Sequence, residues 1–429
     1  MPAIQSMSER VRRRLDNAVL IGTRCGGVSR FSGVRYALAP TGERRFTAPA
    51  RCLLEGDIDA TRPGPVPPQY GSLLSRALGQ MDAVQAEDCL HLTVWTPDDD
   101  QEANAKRPVL VWLHGGALQS GGGALGWYDG ASLARTGDVV VVAVNYRLGL
   151  LGWLCPPGGQ CNLGLLDQAL ALQWVAEHIG SFGGDARRIT VMGQSAGGMC
   201  AVALLAHRPL FQRLILQSAP LGRGFRTRAA AASLGEAVLR AAGAADLDAA
   251  RALPLERLMQ AQQAPAVREA LGAVQDGQGL FSLVTDGATL PSSIDLDALA
   301  GTADVLIGTN RHEMAAFPGQ GMGHEADRLG DAVFAAPASQ WAAAAVAAGR
   351  NAWRYRFDAA PNDRFGACHC IELPFVFGTF HAFSTAPMLE GLGADDARRL
   401  TQEVQRAWLA FVCDGAAPWP AGSHLHRFT

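Results

Sequence analysis

Serine 195 sits in the run Gly193-Gln194-Ser195-Ala196-Gly197, preceded by the β-branched stretch Ile189 to Met192 and followed by the helix-forming stretch Met199 to Ala206. A strand that turns sharply into a helix through G-x-S-x-G presents its serine as a nucleophile. The strained turn needs small neighbours, which Gly193, Ala196 and Gly197 supply. A serine hydroxyl attacks poorly at neutral pH. It needs a base, and the base needs an acid that fixes its tautomer and stabilises its charge.

Where this elbow occurs, the chain order is serine, acid, histidine. The apolar stretch Val305 to Gly308 leads into Thr309-Asn310-Arg311-His312-Glu313, so Glu313 is the expected strand-end carboxylate. The competing reading is a surface glutamate paired with Arg311. Histidines 324, 369, 381, 424 and 426 follow the acid. His324 precedes the strand-like Trp353 to Phe357, and His424 and His426 follow the expected last helix, Thr401 to Val412. His369 and His381 remain, and His369 is preferred. The developing oxyanion needs preorganised N–H donors. The stretch Val109 to Leu113 ends in His114-Gly115-Gly116-Ala117, so Gly116, Ala117 and Ala196 are the expected donors, with His114 structural.

These residues require a sheet to carry them. Unalternated apolar runs at Val109 to Leu113, Val139 to Asn145, Ile189 to Met192, Leu214 to Gln217, Val305 to Gly308 and Trp353 to Phe357 read as strands covered on both faces. Asn162 to Ile179 reads as a crossover helix with Asn162 as its cap. The fold class is therefore α/β, a mostly parallel central sheet with helices on both faces. Alanine-rich stretches at Ala229 to Ala252 and Ala335 to Ala348 read as helices lying over the sheet. No linker separates domains, so residues 1–429 are expected to form one domain, with 220–300 and 315–350 as covering helical insertions.

A net charge of −3 with 18% charged residues and no basic stripe argues against nucleic acid as a partner. Arg10 to Ile21 superficially resembles a signal peptide, but its apolar part is too short for one. No apolar run approaches the length of a membrane span, and a soluble, cytoplasmic protein whose mature chain starts near Met1 is expected. Nine cysteines lack the spacing of a disulfide scaffold and are expected mostly as buried thiols. Cys368-His369-Cys370 has no second Cys/His pair to complete a zinc site, so no metal is expected. Gly121 to Gly126 matches G-x-G-x-x-G without joining a strand to a helix, which excludes a dinucleotide fingerprint. Asp98-Asp99-Asp100 reads as an exposed turn.

Several further segments resemble the type B carboxylesterases. Glu87 to Trp95 (EDCLHLTVW) is similar to the family's EDCLxLNVW, and Phe31 to Ala50 to its FxGIPYAxPPxGxxRFxxP opening. Asn145 to Gly149 (NYRLG) and Phe182 to Asp185 (FGGD) match further blocks. The resemblance spans nearly the whole chain and implies an α/β-hydrolase fold and ester cleavage without a cofactor. It also implies Ser195, Glu313 and His369 as the triad, from GQSAGG, GTNRHE and HCIELPFVFG, and Ser218 as an auxiliary serine. Gln194 stands where many members carry glutamate, Arg35 where they carry proline, and Met314 where they carry glycine.

Only 56 positions separate Glu313 from His369. For this family that is short and implies a reduced set of covering helices and a more open site admitting bulky acyl or alcohol groups. The stretch Thr61 to Ala86 contains no tryptophan, which argues against choline esters. Trp127 and Tyr128 read equally as pocket lining or core. The expected partner is a small-molecule ester cleaved through an acyl-serine. The rivals are amide or carbamate cleavage on the same triad, and a noncatalytic adhesion or interaction role.

Overall fold

The computed structural model describes residues 9–80, 82–98 and 105–429. Its strands are, in chain order, β1 (Glu9–Leu15), β2 (Asn17–Cys25), β3 (Val28–Arg35), β4 (Glu55–Asp59), β5 (His91–Pro97), β6 (Arg107–Leu113), β7 (Val140–Val144), β8 (Gly184–Gln194), β9 (Arg213–Gln217), β10 (Arg226–Thr227), β11 (Val284–Thr285), β12 (Asp304–Asn310), β13 (Ala352–Phe357) and β14 (Leu425–Phe428). Twelve of them form one sheet in the order β1-β2-β3-β5-β7-β6-β8-β9-β12-β13-β14, with β4 beside β2. From β7 to β14 every pairing is parallel. The strands before it pair antiparallel, apart from β2 with β4.

Strand chemistry explains the layers. All seven residues of β6 are buried. Val109, Val111 and Leu113 join one apolar cluster, while Leu110 and Trp112 join the other, on the opposite face. Side chains alternate across a strand, so a run apolar at every position is stable only between two covering layers. One cover is the helix Leu163–His178. Another is Ala394–Asp414, whose Leu400, Val404, Ala407, Trp408 and Phe411 form a buried stripe at helical spacing.

Two expectations are corrected. Asn162 does not cap its helix through its side chain. It adopts φ 58° and no cap bond forms, because the amide is spent on β11, donating to the Val284 carbonyl (2.8 Å) and accepting from its N–H (2.9 Å). The stretch from Arg10, already read as too poor in apolar residues for a signal peptide, forms a hairpin, with Arg10 facing Thr23 and Arg14 facing Val19. Among the cysteines, Cys155 and Cys161 form a disulfide, and of the seven free thiols Cys89, Cys200, Cys368 and Cys370 are buried. The expected Asp98–Asp100 turn lies outside the described residues beyond Asp98. No helix among the described residues is long and apolar enough to cross a membrane.

Candidate active site

Four loops leave the carboxyl ends of neighbouring parallel strands and meet above the sheet, where open α/β sheets place their ligands. The loop after β8 carries Ser195, that after β6 carries Gly116 and Ala117, that after β12 carries Glu313, and that after β13 carries His369.

Ser195 has φ 55° and ψ −125°, a conformation few non-glycine residues adopt. Tight packing imposes it. Its N–H donates to the Gln217 carbonyl on β9 (2.8 Å), and the helix Ala196–His207 begins at the next residue. A Cβ on Gly197 would collide with the Leu113 carbonyl oxygen, and one on Gly193 with the Gly197 carbonyl. The elbow therefore lies flush against β6, which only glycine permits.

The turn after β6 is also left-handed. Gly116 has φ 115° and Ala117 φ 55°. The N–H groups of Gly116, Ala117 and Ala196 donate to no protein acceptor among the described residues. His114 anchors this turn from behind. Its ring stacks on Tyr146 (4.3 Å), its carbonyl accepts from the Tyr146 hydroxyl (2.6 Å), and Nδ1 donates to the Gly115 carbonyl (2.8 Å). Complete burial of the imidazole pushes its pKa down to about 4.

His369 and Glu313 are in direct contact, with Nδ1 to Oε2 at 2.5 Å and both side chains buried. The other Glu313 oxygen accepts from the Asn310 N–H (2.7 Å), and a bridge between His312 and Cys368 ties the two loops together. Phe317 and Phe334 pack against the imidazole, each with its ring centre 5.2 Å away. With Nδ1 donating to the carboxylate, Nε2 is left as an acceptor. It is occupied by the Gln194 side-chain amide at 3.2 Å. Ser195 Oγ makes no hydrogen bond among the described residues, so the glutamate–imidazole pair is formed while no bond joins the imidazole to the serine. His381 lies on the short turn Phe380–Phe383 and makes no hydrogen bond or ion pair with Glu313 among the described residues.

The sequence reading missed what supports the His369 imidazole. Gln194 also donates to Cys370 Sγ (3.2 Å). Glu372, three residues beyond His369, is fully buried and accepts from Asn310 (2.7 Å) and Gln217 (3.1 Å). Burial holds its carboxyl above the usual range. No local pattern in the sequence announces these contacts, because Gln194, Asn310, Gln217 and Glu372 stand far apart in the chain and meet only in the fold. Ser218 has φ 48°, donates its N–H to the Gly308 carbonyl (2.8 Å) and buries its hydroxyl without a protein partner. Trp127 and Tyr128 belong to the core, Trp127 stacking on Phe383 at 5.2 Å. Met314, at the family's glycine position, packs with Val333 and Phe334, and Arg35, at the proline position, pairs with Asp88.

A cavity of about 340 Å³ opens beside Ser195 and is lined also by Ala117, Ala196, Met199, Phe281, Phe317 and Phe334. No group of three or more His, Cys, Asp or Glu side chains that could hold a metal ion occurs among the described residues.

Comparison with known proteins identifies the family. Residues 15–327 match the model of the carboxylesterase family. The chain is 39% identical to a probable N-octanoylanthranilate hydrolase of Rhodococcus erythropolis over 94% of its own length and 92% of the relative's. It is 34% identical to the para-nitrobenzyl esterase of Bacillus subtilis (strain 168), over 93% and 90% of the two chains. A solved PNB esterase structure superposes with a TM-score of 0.84 at 31% identity, covering 97% of this chain and 95% of that one. The chain thus belongs to the carboxylesterase family, as a type B member with the α/β-hydrolase fold, and is a serine hydrolase of carboxylic esters.

Proposed function

We propose that Ser195, His369 and Glu313 perform this hydrolysis, with Gly116, Ala117 and Ala196 as oxyanion donors. The observation that supports this most strongly is the 2.5 Å contact between His369 Nδ1 and Glu313 Oε2, because it fixes the tautomer that leaves Nε2 free to take a proton. As substrate enters, the Gln194 amide gives up Nε2 to the Ser195 hydroxyl. Oγ then attacks the ester carbonyl while its proton moves to Nε2. The carbonyl oxygen becomes an oxyanion against the three backbone N–H groups. Collapse expels the alkoxide, which takes the proton from Nε2 and leaves an acyl-serine. Water repeats the sequence and releases the acid. Ser218 serves as an auxiliary residue through its backbone, at the end of β9 beside the elbow.

Amide cleavage is a second reading, favoured by the 39% identical relative named for an N-acylated substrate. Residues 1–429 act as one hydrolase domain in this proposal, with 220–300 and 315–350 as covering insertions and an open site for bulky acyl or alcohol groups. Seven free thiols against one short-range disulfide favour a cytoplasmic location. The test is a panel of short, long and branched 4-nitrophenyl esters, with matched anilides, run on the wild type and Ser195→Ala. Turnover of esters across the series, lost in the variant, is expected. Activity that survives Ser195→Ala overturns the assignment.

A further inference from the structure

The cavity beside Ser195 carries one ionic group on an otherwise uncharged wall, Arg223. This arginine closes the short turn Leu221–Arg223 that follows Pro220, itself part of the lining. The turn is held firmly. A Cβ on Gly222 would collide with the Ala332 carbonyl, so the backbone lies flush against the segment that brings Phe334 to the base. Arg223 Nη1 donates to the Gly277 carbonyl. No carboxylate pairs with it among the described residues. The acid on the same loop, Asp276, is already engaged by Arg226 through Nε (2.6 Å) and Nη2 (3.1 Å). Partial burial pulls the Arg223 pKa down, and no neighbouring anion restores it.

A second donor faces the same loop. Gln119, on the turn after β6, places its Nε2 3.6 Å from where a Cβ on Gly279 would lie, and has no acceptor among the described residues. The acceptor that Gln278 could offer is taken by the Ser282 hydroxyl. The rim of an apolar cavity thus holds a guanidinium and an amide N–H without an anion to receive them. Guanidinium donors match carboxylate oxygens in geometry and charge.

We propose that Arg223, assisted by Gln119, binds a free carboxylate on the substrate, so that this enzyme selects esters carrying a second, unesterified acid group. This rests on the esterase reading above. Arg223 is exposed at the cavity mouth, so the carboxylate docks at the rim while the apolar wall takes the rest of the chain and the scissile carbonyl reaches Ser195.

The test compares matched pairs on the full chain. In one, the carboxylate is on the acyl side: the mono-4-nitrophenyl ester of suberic acid beside 4-nitrophenyl octanoate. In the other it is on the leaving group: 4-(octanoyloxy)benzoate beside its methyl ester. The expected result is a kcat/KM ratio favouring the carboxylate roughly tenfold in one pair, collapsing toward one in Arg223→Gln and partly kept in Arg223→Lys. A measurement on the wild type alone guards against misfolding: the ratio should fall with added salt, as it must for a rim charge. Ratios at or below one in both pairs, or a ratio that Arg223→Gln and salt leave intact, overturn the proposal while the esterase reading stands. No turnover of any of the four compounds overturns both.

Discussion

Replacing His114 with phenylalanine should make the protein less stable at neutral pH and less sensitive to acid. The imidazole is fully buried, and its Nε2 has no hydrogen-bond partner. The fold therefore favours the neutral ring and lowers the pKa from 6.5 to about 4. At about 1.4 kcal/mol per pH unit this is worth about 3 kcal/mol. The sign follows from linkage. Below about 6.5 the denatured chain binds a proton that the folded chain refuses until about pH 4, so stability present above 6.5 drains away across that interval. By pH 5 the loss from this one group is about 2 kcal/mol. Phenylalanine keeps the stack on Tyr146 but removes the bond to the Gly115 carbonyl, at a cost of about 1–3 kcal/mol at pH 7. Urea unfolding of both proteins at pH 7 and pH 5 reads the difference. Other titrating groups, including His91 and His312, are common to both and cancel. The wild type should lose about 2 kcal/mol more than His114→Phe over that range. Equal losses would refute the claim that a neutral, buried His114 anchors the oxyanion turn.

Two other substitutions probe the acid and the elbow. In Glu313→Gln the carboxylate that holds Nδ1–H is replaced by an amide that can present its own donor, so kcat should fall by about 10³–10⁴-fold with little change in KM, measured on a 4-nitrophenyl ester at saturation. In Gly197→Ala the new methyl meets the Leu113 and His114 carbonyls. The elbow must move, with a stability loss of about 1–3 kcal/mol by denaturant titration and loss of most activity.

Much of the scaffold was written locally. Five of the six strands were legible because unalternated runs such as Val140–Val144 are buried on both faces, a pattern that identifies itself within five or six residues; the sixth, Trp353–Phe357, proves instead to alternate, with Arg354 and Arg356 half-buried between Trp353, Tyr355 and Phe357. The positions of Ser195, Glu313 and His369 followed from those strands, since each lies one to twelve residues beyond a strand end. What stayed hidden depends on partners distant in sequence. Asn162 looks like a helix cap, but Val284, 122 positions away, claims its side chain. The cationic strand β1 carries too few apolar residues to announce itself and is placed by its pairing with β2. Neither the Gln194 amide on His369 Nε2 nor buried Glu372 between Asn310 and Gln217 has a local signature, because each is set by the meeting of separate loops. The family match carries the activity; the roles of individual side chains rest on geometry.

The central claim is that His369 activates Ser195 and no other serine. Labelling with a fluorophosphonate, followed by peptide mapping, addresses it directly. One adduct per chain, on Ser195, is expected, with the rate of labelling falling at least about 10²-fold in His369→Gln. An adduct on Ser218 or any other residue, or Ser195 labelling just as fast without the imidazole, would contradict the account.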